Sequence, residues 1–119
     1  MCDHGLIVKD LHDVLSRRGF KIGNDFEHDL LIANAKGEIT TVFQVITDAS
    51  VNSIQSGAAQ LLLASTDLPG RPCLVLIVPD NVNETLESKL KKLGIDLLVY
   101  GWRHDQTIFP ELANIAPIR

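Results

Sequence analysis

Residues 40–48, TTVFQVITD, combine the alternation of a β-strand with apolar side chains on both of its faces. Successive side chains of an extended strand point to opposite faces, so Val42, Gln44 and Ile46 share one face. The intervening residues occupy the other face: Thr41, Phe43 and Val45. Because both faces are largely apolar, this stretch predicts a central strand of a sheet with cover on both sides.

The remaining elements are predicted outward from this strand by periodicity and turn residues. We expect a helix over 5–18, a short strand from Phe20, a hairpin with arms 26–33 and 39–47, a helix over 51–65, a strand over 73–79, a helix ending at Gly94 and a strand over 95–102. Asp48 or Ser50 is expected to cap the helix over 51–65. The final strand–helix–strand unit predicts parallel pairing through a crossover helix.

Two of the predicted helices differ in their side-chain pattern. The helix over 51–65 has no charged residue, which predicts that it is mostly buried. The helix ending at Gly94 is strongly amphipathic, with Leu86, Leu90 and Leu93 as its apolar stripe. Together the elements predict a single three-layer α/β domain over residues 1–119, with a mixed central sheet flanked by helices.

Composition limits the classes of partner. The chain has 119 residues, of which 45% are apolar, enough for one aliphatic core. A formal net charge of −4 disfavours non-specific binding to nucleic acid. No apolar run approaches the roughly 18 residues that span a bilayer, and the first residues do not form a secretory signal. We therefore expect no membrane partner and a cytoplasmic location.

The element order and several motifs resemble the core of the restriction-endonuclease-like, PD-(D/E)XK, nuclease superfamily. The likeness covers residues 4–102, and its motifs in chain order are LHDVLSRRGFKI, HDLLIA, TTVFQVIT, IQSGAAQLLLAS, PCLVLIVP and LGIDLLVYGW. Members carry a metal-binding Asp on the second strand, which Asp29 matches. Many also carry a Gln-Leu pair on the helix after the third strand, which Gln60-Leu61 matches. The resemblance implies a restriction-endonuclease-like domain.

The third strand departs from the Glu-x-Lys pattern of the superfamily at both functional positions. Gln44 stands at the Glu position and Ile46 at the Lys position. In the superfamily the two carboxylates hold Mg²⁺, and the lysine orients or activates the attacking water. A Gln oxygen can coordinate Mg²⁺ without offsetting its charge, and Ile cannot stabilise an anionic transition state. Burial of Ile46 instead adds very roughly 2 kcal/mol of stability, and we expect Gln44 and Gln60 to hydrogen-bond across the old site.

Groups elsewhere offer little compensation for the missing carboxylate and lysine. Arg71, the nearest downstream cation, is expected in a loop, and Lys36 at the far end of the strand. Asp48 shares the strand face of the old site, but helix capping is its preferred interpretation. Glu27 shares a face with Asp29, although a solvated strand end explains it more simply.

These observations predict no catalytic residue and no cofactor. The positions treated as vestigial are Asp29, Gln44, Ile46 and Gln60, with Asp29 as a weak metal candidate. The favoured interpretation is a non-catalytic interaction, scaffold or nucleic-acid-associated module, acting as a homodimer or with a protein partner. One alternative is a divergent nuclease that uses Mg²⁺ or Mn²⁺ with Asp29, Gln44 and Gln60. A second alternative is a small α/β interaction domain unrelated to nucleases.

Overall fold

The computed structural model describes residues 4–23, 30–79 and 82–112. Its elements in chain order are α1 (His4–Arg17), β1 (Lys21–Gly23), β2 (Leu30–Ala33), β3 (Ile39–Val45), α2 (Val51–Ser65), β4 (Cys73–Val78), α3 (Glu84–Lys92), β5 (Ile95–Val99), β6 (Gly101–Arg103) and β7 (Gln106–Ile108). The predicted order of helices and strands is confirmed. The predicted last strand is interrupted at Tyr100, and its continuation pairs with β7 in a separate two-stranded ribbon.

The central sheet has five strands in the order β1-β2-β3-β4-β5. The first three strands pair antiparallel, whereas β3 with β4 and β4 with β5 pair parallel. A short turn joins the antiparallel β2 and β3, and α2 and α3 lie in the crossovers that parallel pairing requires. The mixed sheet is therefore confirmed, with β3 at its centre as the TTVFQVITD pattern predicts.

The two faces of β3 contribute to two separate apolar cores. Phe43 and Val45 pack with Ile7, Leu11 and Leu15 of α1 on one face. On the opposite face, Val42 packs in a second cluster with residues of α2 and α3. The buried residues from these helices are Ile54, Ala58, Leu61 and Leu90. The molecule is an α/β protein with three layers, and the face assignment made from the period of two is confirmed.

The hairpin between β2 and β3 depends on one asparagine. The Asn34 side-chain oxygen accepts hydrogen bonds from the backbone N–H groups of Lys36, at 2.9 Å, and Glu38, at 3.0 Å. This local bonding is a common reason for Asn in turns. The predicted turn is confirmed, while residues 26–29 of its first arm lie outside the described residues.

Close packing brings α2 onto the sheet at Gly57. A Cβ atom placed on Gly57 would lie 2.8 Å from Leu76 Cδ1 and 3.1 Å from Ile46 Cγ2. Such distances leave no room for a side chain without movement of the neighbours. Gly57 therefore allows the helix backbone to approach β3 and β4 more closely than another residue would.

The prediction that α2 is mostly buried is wrong. Its sheet-facing side is buried, but its outer side is exposed, including Gln55, Ala59 and Leu63, and Leu63 is 70% exposed. The helix covers one face of the sheet, and within the described residues no further layer covers its outer side. Small and neutral residues therefore occur here on a surface helix.

The predicted apolar stripe of α3 needs a smaller correction. Leu90 is buried and Leu86 packs against the same core, whereas Leu93 is 54% exposed. Leu93 follows the last helical residue, where the chain turns toward β5. None of the helices that the structure describes has the length and apolar character needed to cross a membrane.

Candidate functional site

A cleft of ≈ 450 Å³ opens where β3 ends and α2 begins, and we call it the β3–α2 cleft. Its lining comprises His4, Gln44, Val45, Ile46, Thr47, Asp48, Asn52, Ser53, Ser56, Gly57 and Gln60. Three of the four positions singled out in the sequence, Gln44, Ile46 and Gln60, thus border one space. The fourth, Asp29, lies outside the described residues, as does Glu27.

Gln44 brings an unpaired polar atom to the cleft. It stands on β3 beside Leu76 of β4. Its Oε1 atom is buried, and no donor among the described residues reaches it. The expected hydrogen bond from Gln60 to this oxygen is therefore absent, although both amides line the same space. A buried acceptor without a partner loses its hydration without compensation, which typically costs about 1–3 kcal/mol.

Ile46 occupies the expected lysine position as a packing residue. Its side chain is partly buried against the core beneath α2, near the backbone of Gly57. Its backbone N–H donates to the Ile77 carbonyl at 2.9 Å, which extends the pairing of β3 with β4 by one residue. These contacts agree with the interpretation of Ile46 as an apolar packing position.

Of the two residues predicted to cap α2, Ser50 is the N-cap, and Asp48 holds Ser50 and Ser53 in place. Its carboxylate accepts the Ser50 N–H at 3.0 Å and the hydroxyls of Ser50, at 2.8 Å, and Ser53, at 2.9 Å. Ser50 is the N-cap and accepts the Ser53 N–H. The Ser50 hydroxyl, followed by the Ser53 hydroxyl and the Ser50 N–H, lowers the pKa of Asp48 below its usual range. The carboxylate of the cleft is thus engaged by its own helix terminus.

The described lining carries no lysine or arginine. Arg71 instead borders a second cleft, of ≈ 540 Å³, with Lys92 and the first residues of β4. Because β3 and β4 run parallel, the start of β4 lies at the opposite end of the sheet from the end of β3. Lys36, in the turn before β3, also belongs to that opposite end. Neither cation is placed to replace the missing lysine.

Within the described ranges, no three His, Cys, Asp or Glu side chains come together as a metal-binding group. The cleft instead offers neutral hydrogen-bonding groups: the amides of Gln44, Asn52 and Gln60 and the hydroxyls of Thr47, Ser53 and Ser56. Such a lining can pair with donors and acceptors on a ligand, but it supplies little charge for binding a cation or a phosphate.

Sequence reasoning missed Asn52 and Ser56. They stand eight and four residues before Gln60, so the three form one stripe along α2. This i, i+4, i+8 spacing of polar residues on a helix without charge is the signal that could have identified them. Comparison with known proteins adds no relative: no family model, curated protein or solved structure matches the chain.

Proposed function

We propose that the chain is a non-catalytic protein of the PD-(D/E)XK nuclease type that acts by binding rather than by cleavage. The observation that carries this proposal is the chemistry of the β3–α2 cleft. Where an active member would hold Glu and Lys, the cleft has the neutral Gln44 and the packed Ile46. The order of helices and strands around a mixed sheet agrees with the restriction-endonuclease-like fold that this proposal assumes.

Phosphodiester hydrolysis on such a scaffold depends on metal ions that generate the nucleophile and stabilise developing charge. Among the described lining residues, Asp48 is the carboxylate, and three hydrogen bonds from Ser50 and Ser53 already occupy it. Ligation of a metal by Asp48 would compete with these three bonds, which hold Ser50 and Ser53 at the start of α2. This competition favours a binding role for the cleft over a metal-dependent catalytic role.

A divergent nuclease is the second candidate function, and one observation favours it. The Gln44 oxygen has no donor within the described part of the chain, so it is available as a neutral metal ligand. Asp29 and Gln60 would complete such a site, with Mg²⁺ or Mn²⁺ as the ion. This alternative and the proposed function predict opposite results in a metal titration.

The metal titration compares calorimetric binding of Mg²⁺ and Mn²⁺ to the wild type, Asp29→Ala and the double variant Gln44→Glu/Ile46→Lys. We expect no tight site in the wild type, because a single firm anionic ligand does not offset the charge of the ion. The double variant adds the second carboxylate that the resemblance pairs with Asp29 and is expected to gain Mn²⁺ affinity. It should also lose stability, because a lysine replaces a packed isoleucine. Tight binding by the wild type that Asp29→Ala abolishes would instead establish the divergent nuclease.

We also propose that the protein associates through apolar surface, as a homodimer. The outer side of α2 exposes Leu63 and Val51, and Trp102 is 45% exposed on β6. Exposed large apolar side chains commonly mark interaction sites where they form a patch. The interface is therefore expected on α2 or at Trp102, and a protein partner is the alternative occupant.

A further inference from the structure

We propose that the β3–α2 cleft binds a small uncharged ligand that presents a hydrogen-bond donor and an acceptor side by side, as the edge of a nucleobase does. In this proposal Gln44 is the residue that determines specificity. The inference rests on the proposed function, in which the cleft binds and does not cleave.

The unpaired Gln44 oxygen is the first observation. Buried polar atoms in folded proteins have a partner in roughly nine cases out of ten, so an exception needs an explanation. Two other buried atoms, the hydroxyl oxygens of Thr41 and Thr107, also have no partner within the described residues. Neither threonine lines the cleft, whereas Gln44 does. A ligand that donates a hydrogen bond to the Gln44 oxygen would supply the partner that this buried acceptor lacks.

The second observation is the neutral character of the lining. Gln44, Asn52 and Gln60 each carry a carbonyl oxygen beside an NH₂ group. Side-chain amides pair with the donor and acceptor edges of nucleobases through two hydrogen bonds. The volume of ≈ 450 Å³ lies within the range of about 300–1,000 Å³ that is usual for small-molecule sites.

The charge of the described lining favours a neutral ligand over a phosphate. The lining contributes no lysine or arginine, Asp48 adds a negative charge, and His4 is its other titratable side chain. A phosphate would therefore meet no permanently charged cation among the described lining residues. The ligand class is a nucleoside or a carboxamide rather than a nucleotide or a nucleic-acid backbone.

Binding requires movement of one side chain. The Gln44 oxygen is covered by protein atoms in the unliganded chain, so the amide must turn toward the cleft before a ligand N–H can reach it. This rotation removes the unpaired acceptor from the protein interior. The free energy that the unpaired acceptor costs the folded protein therefore favours ligand binding.

The experiment measures binding of adenosine, uridine, AMP and nicotinamide to the full chain by calorimetry at millimolar concentration. The variants are Gln44→Met, which keeps an unbranched side chain without the amide, and the matched control Gln55→Met on the exposed side of α2. We expect saturable binding of a nucleoside or of nicotinamide, with AMP no tighter than adenosine. Gln44→Met should weaken binding about tenfold or more, while Gln55→Met leaves it unchanged.

Thermal unfolding of the same variants distinguishes ligand binding from a purely structural role of Gln44. If Gln44 only stabilised the fold, its replacement would lower the Tm. We expect Gln44→Met to keep or raise the Tm, because it removes an unpaired buried acceptor.

The probe that binds identifies the ligand class. Binding of a nucleoside indicates that the cleft recognises a nucleobase edge, and binding of nicotinamide alone indicates that it recognises a carboxamide. Absence of binding by all four probes, or unchanged affinity in Gln44→Met, would overturn the inference. If the chain neither binds the probes nor cuts nucleic acid, the ligand proposal alone is rejected. If the chain cuts nucleic acid, the proposed non-catalytic function is rejected.

Discussion

Gln44, Ile46 and Asp48 alternate along the end of β3 and have separate physical roles. Gln44 brings an unpaired amide oxygen to the cleft, and Ile46 packs beneath α2. Asp48 receives three hydrogen bonds at the helix start. An active nuclease of this type would need a metal-binding carboxylate at the first position and a lysine at the second. Among the described residues at this strand end, the carboxylate of Asp48 instead stabilises local structure.

At the residue scale, Asp48 predicts a pH dependence of stability. Its folded-state pKa is lowered by hydrogen bonds from Ser50 and Ser53. A lowered carboxyl pKa contributes stability above the unfolded value of about 3.9, and that contribution is lost as the pH falls through the lowered folded value. We expect the difference in Tm between wild type and Asp48→Asn to be largest near neutral pH and to shrink below about pH 4.

The measurement is thermal unfolding of both proteins from neutral to acidic pH. Asp67→Asn, which removes the same charge in the loop after α2, is the matched control. Asp48 lies on the surface, so solvent screening keeps the effect small. A Tm difference that stays constant through the acidic range would show that protonation of Asp48 does not weaken the cap.

At the element scale, α2 illustrates how much of the fold its sequence could predict. Its start follows from the Ser50 cap, and its second half from the strong helix formers over 58–64. Its exposure did not follow, because a neutral composition is shared by buried helices and by surface helices with small residues. The close approach at Gly57 depends on Leu76, which is distant in sequence. Local patterns carry no information about such a contact.

Gly57→Ala is expected to destabilise the protein by about 1 kcal/mol. Overpacking against the fully buried Leu76 costs about 1–3 kcal/mol, and the better helix propensity of Ala returns up to about 1 kcal/mol. Urea unfolding measures the difference. Gly5→Ala in α1 is the matched control, since within the described residues a Cβ atom there meets no atom within 4 Å. A stabilising effect of Gly57→Ala equal to that of Gly5→Ala would show that the contact yields freely.

At the scale of the whole molecule, the sequence predicted the layers and the sheet but not the extent of the cleft. The alternation in residues 40–48 determined the central strand, and the position of β3 between β2 and β4 confirms it. The sequence prediction also merged β6 with β5 into one strand over 95–102. A three-residue strand such as β6 has too few alternations to be recognised on its own. The polar stripe on α2 lines the cleft only because the helix packs next to the end of β3. The sequence of α2 alone does not contain this placement.

Association is the prediction that belongs to this scale. If the exposed Leu63 and Val51 form an interface, sedimentation at high concentration should give about twice the chain mass of 13.1 kDa. Leu63→Glu should return the mass to that of one chain, because a charge in an apolar interface is costly. Leu93→Glu, at another exposed leucine just after α3, is the control. A wild-type mass near 13.1 kDa at high concentration would reject the homodimer.

The most direct test of the central claim is a cleavage assay with the purified wild-type chain. Single- and double-stranded DNA and RNA are incubated with Mg²⁺ or Mn²⁺, beside Asp29→Ala as the control for contaminating nuclease. We expect no cleavage above the level of Asp29→Ala, because Gln44 and Ile46 supply neither the second carboxylate nor the cation that this chemistry needs. Cleavage by the wild type that Asp29→Ala abolishes would contradict a binding role without catalysis.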